Sequence, residues 1–270
     1  MSRMNRNLIV CLVGFACATV GSVFAGEEAA APPVAVALDV PVLSAYLWRG
    51  QALDDKIVVE PSLTVSKYGL SLNAWANYNA DGSYNGDNSH KFSEVDLSAT
   101  YTREVGPVSL GGGVVQYLFP NQTLIVADES GPTGEAYPST YEVFISAGLP
   151  GIPLAPTLTV YRDLDAIKGF YGVLAVSQSF GLCEKAALVA SASLGAGNNK
   201  YNAGYFGENK SAFNDLNVGL ALPIALLPSL TIKPAAVYTC LPDSSIRDAA
   251  DDVYGHKELL VGSVTVSYTF

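Results

Sequence analysis

The sequence is short of charge, histidine, cysteine and long apolar runs, and each shortage excludes a class of protein. Only 15% of its 270 residues are charged, against about 25% in an average globular protein. Hydrophobic residues make up 49% of the chain, which excludes a disordered polypeptide. Beyond the extreme N-terminus, no apolar run approaches the roughly 20 residues that a membrane helix needs. The sequence is therefore apolar without offering helical membrane spans.

The few charges are mostly acidic, and the residues that usually carry catalysis are scarce. The net charge is −10, so the surface repels phosphate backbones and nucleic-acid binding is not expected. The two histidines, His90 and His256, both fall in predicted loops. Acidic pairs such as Asp54-Asp55 could hold hard cations, but solvated loops explain them better. We predict no catalytic residue, no cofactor and no metal site.

The N-terminus has the three parts of a secretory signal. Two arginines precede an apolar core at Leu8–Val20, and small residues surround a cleavage site after Ala25. Residues 1–25 are therefore predicted to be a Sec signal peptide that is removed on export. Residues 26–33 read as a short periplasmic lead-in, and residues 34–270 as one domain.

Alternation of apolar and polar residues dominates the rest of the chain. In 258–270, Leu260, Val264 and Val266 alternate with serine and threonine, which places one apolar and one polar face on a strand. The same pattern predicts twelve strands, at 35–50, 57–66, 70–78, 91–103, 107–119, 140–147, 154–161, 169–179, 186–194, 211–222, 230–240 and 258–270.

The connections between these strands alternate between short and long, and the longest is 120–139. A secreted two-sheet sandwich also alternates its faces, but it has no reason to collect every long loop at one end. Outer-membrane barrels have short periplasmic turns and long external loops. The predicted fold is therefore all-β, a 12-stranded antiparallel transmembrane barrel of a Gram-negative-type outer membrane, with membrane lipid as a partner.

Aromatic residues near the predicted strand ends are typical of the two girdles of such a barrel. Tyr46, Trp48 and Tyr117 fall at the long-loop ends. At the other end, Tyr268 and Phe270 close the chain on an alternating strand. This ending is typical of barrels inserted by the barrel assembly machinery, and we interpret these two residues as the assembly signal.

The polar positions of the alternating strands predict which side chains face the lumen. Most of these side chains are acidic, so a narrow bore should attract cations. The lumen-lining candidates are Asp39, Arg49, Glu60, Glu94, Asp96, Glu142, Asp163, Asp215 and Lys233.

Several short segments resemble a family of porins of the TorF type, a conserved proteobacterial outer-membrane family. The clearest is Ser44–Gln51, which is similar to the end of the family's first strand, although Ala45 stands where the family often has aspartate. The other similar segments are Glu60-Pro61, Gly69–Ala76, Tyr117–Pro120, Tyr141–Val143 and Tyr161–Asp163. The resemblance implies an outer-membrane barrel that forms a pore, and it implies no catalytic residues.

Three functions fit this fold, and the favoured one is passive passage of small solutes or ions with a weak preference for cations. The alternative is a non-conducting structural or surface-binding barrel that acts through its external loops. A barrel lipid hydrolase is a distant third. The loop 120–139 would constrict a pore if folded inward, and would favour surface recognition if it projects outward.

The two cysteines beyond the signal peptide, Cys183 and Cys240, fall at opposite ends of the predicted barrel. A hydrocarbon core of about 30 Å separates these ends, whereas a disulfide needs Cα atoms within about 7 Å. We predict two free thiols.

Overall fold

The computed structural model describes residues 34–82, 88–128 and 131–270. The predicted signal peptide 1–25 and lead-in 26–33 lie outside the described residues. These described residues form eighteen strands and two helices. In chain order they are β1 Ala35–Leu43, β2 Tyr46–Trp48, β3 Gln51–Asp54, β4 Val58–Val59, β5 Ser62–Lys67, β6 Leu70–Asn79, β7 Phe92–Val105, β8 Val108–Leu118, β9 Thr123–Asp128, β10 Gly131–Ala136, β11 Thr140–Gly148, β12 Thr157–Asp163, β13 Phe170–Cys183, β14 Ala186–Gly197, α1 Asn199–Phe206, β15 Ala212–Ala221, β16 Ile224–Leu227, β17 Leu230–Cys240, α2 Ser244–Tyr254 and β18 Glu258–Thr269.

The strands close into one antiparallel barrel, which confirms the predicted fold. Neighbours in sequence pair around the wall, and β1 completes the circle by pairing with β18 from Ala37↔Thr269 to Leu43↔Ser263. The wall has twelve strands, because β4 and β5 share one position between β1 and β6, and β15 and β16 share one between β14 and β17. A closed sheet leaves no unpaired strand edge, as the lipid interior requires.

The second wall strand is broken at Glu60-Pro61. Proline has no N–H to donate to the ladder, and the flanking bonds are made by its neighbours. The N–H of Glu60 donates to the carbonyl of Pro41, and the N–H of Ala76 donates to that of Pro61, each at 3.0 Å. The break therefore leaves the circle closed.

Two predicted boundaries are wrong. The first predicted strand, 35–50, ends at Leu43, and the chain then leaves the wall to form the separate β2–β3 hairpin. The apolar segment after β15, read as a turn, contains the short strand β16, which pairs with β14 and β17. Its apolar residues thus extend the wall at the short-turn end.

The outward side of the wall is apolar and the inward side is mostly polar. In β18, Leu260, Val264 and Val266 are exposed, while Ser263 and Thr265 between them are buried. The same alternation exposes Leu63, Leu72, Leu97, Leu158, Leu174 and Val218 on other strands. These side chains form the lipid-facing band expected of a membrane barrel.

The long connections gather at one end of the barrel, as predicted, and we call it the outer end. Helix α1 follows β14 there, helix α2 follows β17, and β9–β10 forms a two-stranded sheet of its own. Within the part of the chain that is described, neither helix is long and apolar enough to cross a membrane. The short turns, including Tyr68-Gly69 and Gly106-Pro107, define the opposite, periplasmic end.

Both cysteines among the described residues are free thiols, as predicted. Cys183 ends β13 at a short turn, and Cys240 ends β17 at the outer end. The length of the strands separates them.

Candidate functional site

A β-hairpin that enters the outer half of the barrel is the central feature of the interior. It consists of β2 and β3, joined by Arg49 and Gly50. Both turn residues have left-handed backbones, with φ of 48° at Arg49 and 81° at Gly50. Two successive residues of this kind make the tight turn that suits a two-residue hairpin.

The tip of this hairpin reaches across the bore. The guanidinium of Arg49 donates to both carboxylate oxygens of Glu142, at 2.9 and 2.6 Å. It also lies over the rings of Tyr161 and Tyr171, at 4.3 and 4.5 Å from their centroids. Tyr161 is on β12, the sixth wall strand from β1 in either direction. The hairpin thus connects one side of the barrel to the opposite side.

Aromatic rings enclose the Arg49 guanidinium. Trp48 lies 4.5 Å from it, and Tyr201 of α1 lies 6.0 Å away. The hydroxyl of Tyr117 donates to the same Glu142 carboxylate at 2.9 Å. Planar stacking and bidentate pairing are the two contacts that a guanidinium makes best. We call Arg49, Glu142 and the rings of Trp48, Tyr117, Tyr161, Tyr171 and Tyr201 the arginine cage.

Gly50 is required at the tip for space as well as for its backbone angle. A Cβ there would lie 2.8 Å from the Cβ of Asp215 on β15. Asp215 is fully buried and accepts hydrogen bonds from the Tyr171 hydroxyl at 2.8 Å and from the Asn217 amide at 2.8 Å. The hairpin tip is therefore seated closely against the wall.

The two helices cover the hairpin from the outer end. The Tyr254 hydroxyl of α2 donates to Gln51 Oε1 at 2.6 Å, and the Gln51 amide lies 3.5 Å from the Tyr201 hydroxyl. Asn198 caps α1 by accepting from the N–H of Tyr201, and Asp243 caps α2. These contacts join the loops, the hairpin and the wall into one packed layer.

Three acidic side chains meet at the base of the hairpin. The Tyr46 hydroxyl donates to Glu94 at 2.9 Å. Glu94 and Asp96 are two residues apart on β7, so their side chains lie on the same face of the strand, and their carboxyl groups interact electrostatically. Glu60 is buried and interacts electrostatically with Glu94. We call Glu60, Glu94 and Asp96 the carboxylate cluster.

The remaining lumen-lining candidates lie apart from these groups. Asp163 is buried and accepts from the Thr140 hydroxyl and from the backbone N–H groups of Ile167 and Lys168, so it shapes the loop after β12. Asp39 accepts from the Ser267 hydroxyl near the periplasmic end. Lys233 is buried in the periplasmic half, opposite Thr265. The structure thus brings Arg49 to Glu142, and Glu60 to Glu94 and Asp96.

The periplasmic half of the interior is lined by small side chains. The inward positions there are mostly serine, threonine, alanine and glycine. They include Ser62, Thr64, Ser98, Ser146, Thr159, Ser177 and Ser191, all of which are only half-buried. Side chains of this size cannot fill the centre of a twelve-stranded barrel, which is wider than the packed eight-stranded kind.

Three aromatic residues of the hairpin and wall correct one expectation. Tyr46, Trp48 and Tyr117 were expected in the outer girdle, but Tyr46 and Tyr117 are buried inside and Trp48 packs against the interior core. The sequence does contain an indication of one interior ring. Tyr161 lies two residues before Asp163, so the two side chains lie on the same face of the strand. Tyr141, Phe213 and Tyr238 are exposed at the outer end.

The long loop 120–139, which the sequence leaves to decide between a pore and surface recognition, forms a sheet of its own from β9 and β10. Gly134, Glu135 and Ala136, at the end of β10, are exposed. The sequence places β2 within the first wall strand and β3 in the connection after it, whereas in the structure the β2–β3 hairpin occupies the outer half of the interior.

Comparison with known proteins gives one family match and two matches in fold. Residues 27–151 match the model of a bacterial protein family of unknown function, Gcw_chp. No curated protein matches the sequence. The TorF-type name stays a prediction.

Two solved structures share the fold. An outer-membrane channel from Pseudomonas putida F1 matches with a TM-score of 0.52 and 13% identity, over 92% of this chain and 100% of that chain. The KdgM porin in complex with disordered oligogalacturonate matches with a TM-score of 0.50 and 10% identity, over 88% of this chain and 99% of that chain. The chain therefore has the fold of an outer-membrane porin-like barrel.

Proposed function

We propose that this protein is an outer-membrane channel for the passive passage of small solutes or ions, with a weak preference for cations. The observation that carries the proposal is the excess of carboxylates on the inward side of a closed barrel. Arg49 and Glu142 neutralise each other at 2.6 Å. The other lumen-lining candidates comprise the six acids Asp39, Glu60, Glu94, Asp96, Asp163 and Asp215, and one base, Lys233.

A charge excess of this kind acts on ions through the field in the bore. Like charges that line a narrow passage with low-dielectric walls concentrate their potential and raise the local concentration of counter-ions. Rings of Asp and Glu favour cations for this reason. The KdgM structure has an oligogalacturonate, a polyanion, as its ligand. An acidic interior would repel such a solute, so we expect a different substrate class here.

Export and insertion complete the proposal. The predicted signal peptide 1–25 directs the chain through the Sec pathway to the outer membrane of a Gram-negative-type bacterium. The exposed rings of Tyr268 and Phe270 at the periplasmic end support a role as the signal read by the barrel assembly machinery. Replacing Phe270 with serine should reduce the yield of inserted barrel, measured in vivo from outer-membrane fractions.

The test is a reversal potential measured in a planar bilayer across a KCl gradient. The expected sign is that of a cation-preferring channel, and the preference should fall at high salt, because screening shortens to about 3 Å at 1 M. Asp39→Asn should weaken the preference and Lys233→Gln should strengthen it. An anion-preferring sign, or equal values in the two variants, would contradict the proposal.

A second function has its own supporting observation, the hairpin that crosses the bore. A barrel closed in this way could act as a non-conducting scaffold whose external loops bind a partner. Removal of residues 46–54 separates the two functions. The channel proposal expects measurable conductance in the full chain and a larger one after removal. If neither the full chain nor the shortened chain conducts in the bilayer, the result would favour the scaffold.

A further inference from the structure

Two neighbouring carboxylates on β7, Glu94 and Asp96, lack a positive partner among the described residues. Glu94 is buried, and the Asp96 Oδ1 atom is shielded from water without a hydrogen-bond donor. The ion pairs within the described ranges involve Asp55, Glu142, Asp243 and Asp251, and none includes the carboxylate cluster. Neighbouring carboxylates that are shielded from water repel each other in a low-dielectric interior. A proton or a metal cation is needed to relieve that repulsion.

A neighbouring amide favours the metal cation. Asn77 lies directly opposite Glu94 in the β6–β7 ladder and is fully buried. Its Nδ2 donates to Asn79 and to Ser93, each at 2.7 Å, and both partners lie on the outer side of Asn77. Its Oδ1 atom has no hydrogen-bond donor. Oδ1, on the other branch of the amide, is not satisfied by the residues that hold Nδ2, and the register places Glu94 and then Asp96 across the ladder from Asn77 and Trp75.

The donor atoms define the class of cation. They are carboxylate and amide oxygens, which suit hard ions such as Ca²⁺, whereas the softer transition metals prefer imidazole or thiolate. Within the described ranges, no group of three or more acidic, histidine or cysteine side chains is arranged so that it could hold a metal ion. The site therefore needs the neutral Asn77 oxygen beside two carboxylates, and their charge of −2 matches a divalent ion.

We propose that Glu94, Asp96 and Asn77 form a binding site for a hard divalent cation of the Ca²⁺ class inside the barrel, at the base of the β2–β3 hairpin. Tyr46 connects the site to the hairpin, because its hydroxyl donates to Glu94 Oε2. Glu60 is buried beside the site. The site does not depend on conduction, since a closed barrel would hold the ion equally well.

Terbium luminescence tests the site in the purified, folded full chain. Tb³⁺ replaces Ca²⁺ at oxygen sites, and the rings of Tyr46 and Trp75, 5.7 Å apart, lie close enough to sensitise its emission. We expect saturable emission that Ca²⁺ displaces and K⁺ does not. Glu94→Gln and Asn77→Leu should each weaken binding by about tenfold or more. Asn77→Leu removes an oxygen without changing the charge, so it separates a ligand from a general electrostatic effect.

A matched control is Asp215→Asn, which removes a different buried carboxylate whose partners are all within the protein. It should bind Tb³⁺ as the unmodified chain does. Folding is checked by the slower migration of heated relative to unheated barrel in gels. If Glu94→Gln does not fold, two other measurements decide whether the site exists. They are Tb³⁺ binding by Asn77→Leu and the melting temperature of the unmodified chain with and without Ca²⁺, because a bound ion raises the melting temperature.

Two results would overturn the site. One is an unmodified chain that shows neither saturable emission nor a Ca²⁺-dependent melting temperature, which would mean that the carboxylates share a proton. The other is equal binding by Asn77→Leu and the unmodified chain. Neither readout depends on the reversal potential, so failure of the site and failure of the channel proposal can be told apart.

Discussion

The outer and periplasmic halves of the interior are built on different principles. In the outer half, large rings and paired charges fill the bore around Arg49, and Tyr171, Tyr201 and Glu142 are almost completely buried. In the periplasmic half, many of the inward side chains are serine and threonine, and several of them, such as Ser62, Thr64 and Thr159, remain half-buried. The same twelve strands support both halves. The difference lies in the chain between Leu43 and Val58, which folds inward instead of continuing the wall.

This contrast assigns stability and permeation to different places. The outer half makes the long-range contacts that fix the hairpin and the loops, so substitutions there should be felt by the whole molecule. The periplasmic half contributes an open, polar surface on which single substitutions should cost little. The predictions below test that division, and they run from the largest expected effect to the smallest.

The largest effect is expected from separating Arg49 from Glu142. Glu142→Gln leaves a buried guanidinium without its counter-charge, which should cost about 3–5 kcal/mol of unfolding free energy. The double variant Arg49→Met, Glu142→Leu should recover most of that loss, because it removes both charges. Urea unfolding of the barrel in detergent measures both. In the periplasmic half, Ser62→Ala should change stability by less than about 0.5 kcal/mol.

If the double variant were as unstable as Glu142→Gln, the pairing of charges would not be what Glu142 contributes. A loss for Ser62→Ala that approached the loss for Glu142→Gln would show that the two halves are equally packed, and the comparison would fail.

The second prediction compares the two faces of β18. Val264 is 43% exposed on the lipid side near the middle of the strand, and Arg at this position should cost about 2–4 kcal/mol. Ser267 lies on the inward side, where its hydroxyl donates to Asp39. Arg at Ser267 gains a carboxylate partner and should be tolerated far better. The fraction of folded barrel after refolding into lipid, followed by urea titration, measures both, and equal losses would refute the face assignment.

The third prediction uses two glycines at opposite ends. Gly50 and Gly106 both have left-handed backbones, with φ of 81° and 60°. Gly106→Ala meets no atom within 4 Å, so only the backbone term of about 1 kcal/mol applies. Gly50→Ala also drives its Cβ to 2.8 Å from Asp215. Overpacking adds to the cost, for about 2–3 kcal/mol in total.

Thermal or urea unfolding of the two alanine variants measures this difference. Equal losses would mean that the hairpin tip is free to move away from β15, and that the outer half is looser than its contacts indicate.

The sequence predicts the wall well because alternation is a local signal. Leu260, Val264 and Val266 reveal their side of β18 without knowledge of any other strand. The arginine cage could not be predicted in this way, because it joins Arg49 to Glu142, 93 residues later. Gly50 is a local indication of a turn after Arg49, but the alternating pattern of the predicted strand 35–50 extends over it. The same kind of pattern places Glu142 and Asp163 on the polar side of their strands. The residues that they contact come close only when the barrel closes.

The smallest effect is expected at the ion pair between Lys210 and Asp243, the residue that caps the N-terminus of α2. The Lys210 ammonium donates to Asp243 at 2.8 Å, and Asp243 also accepts from the N–H groups of Ser245 and Ile246 as the helix cap. The hydrogen bond from Lys210 is the main cause that lowers the pKa of Asp243 to about 2. A carboxyl group of this kind stabilises the fold above its unfolded pKa of about 3.9. That stability is lost as the pH falls from about 4 towards 2.

Because the pair is partly exposed and screened, the gain should be below about 1 kcal/mol. Hydrogen exchange of the α2 amides, measured across this pH range and corrected for intrinsic rates, should show the loss. Asp243→Asn keeps an oxygen to cap the helix but cannot titrate, so its α2 amides should lack this step. Exchange in β17 and β18 should not respond in either protein. A step of equal size in the asparagine variant would assign the pH dependence to another group of the outer layer.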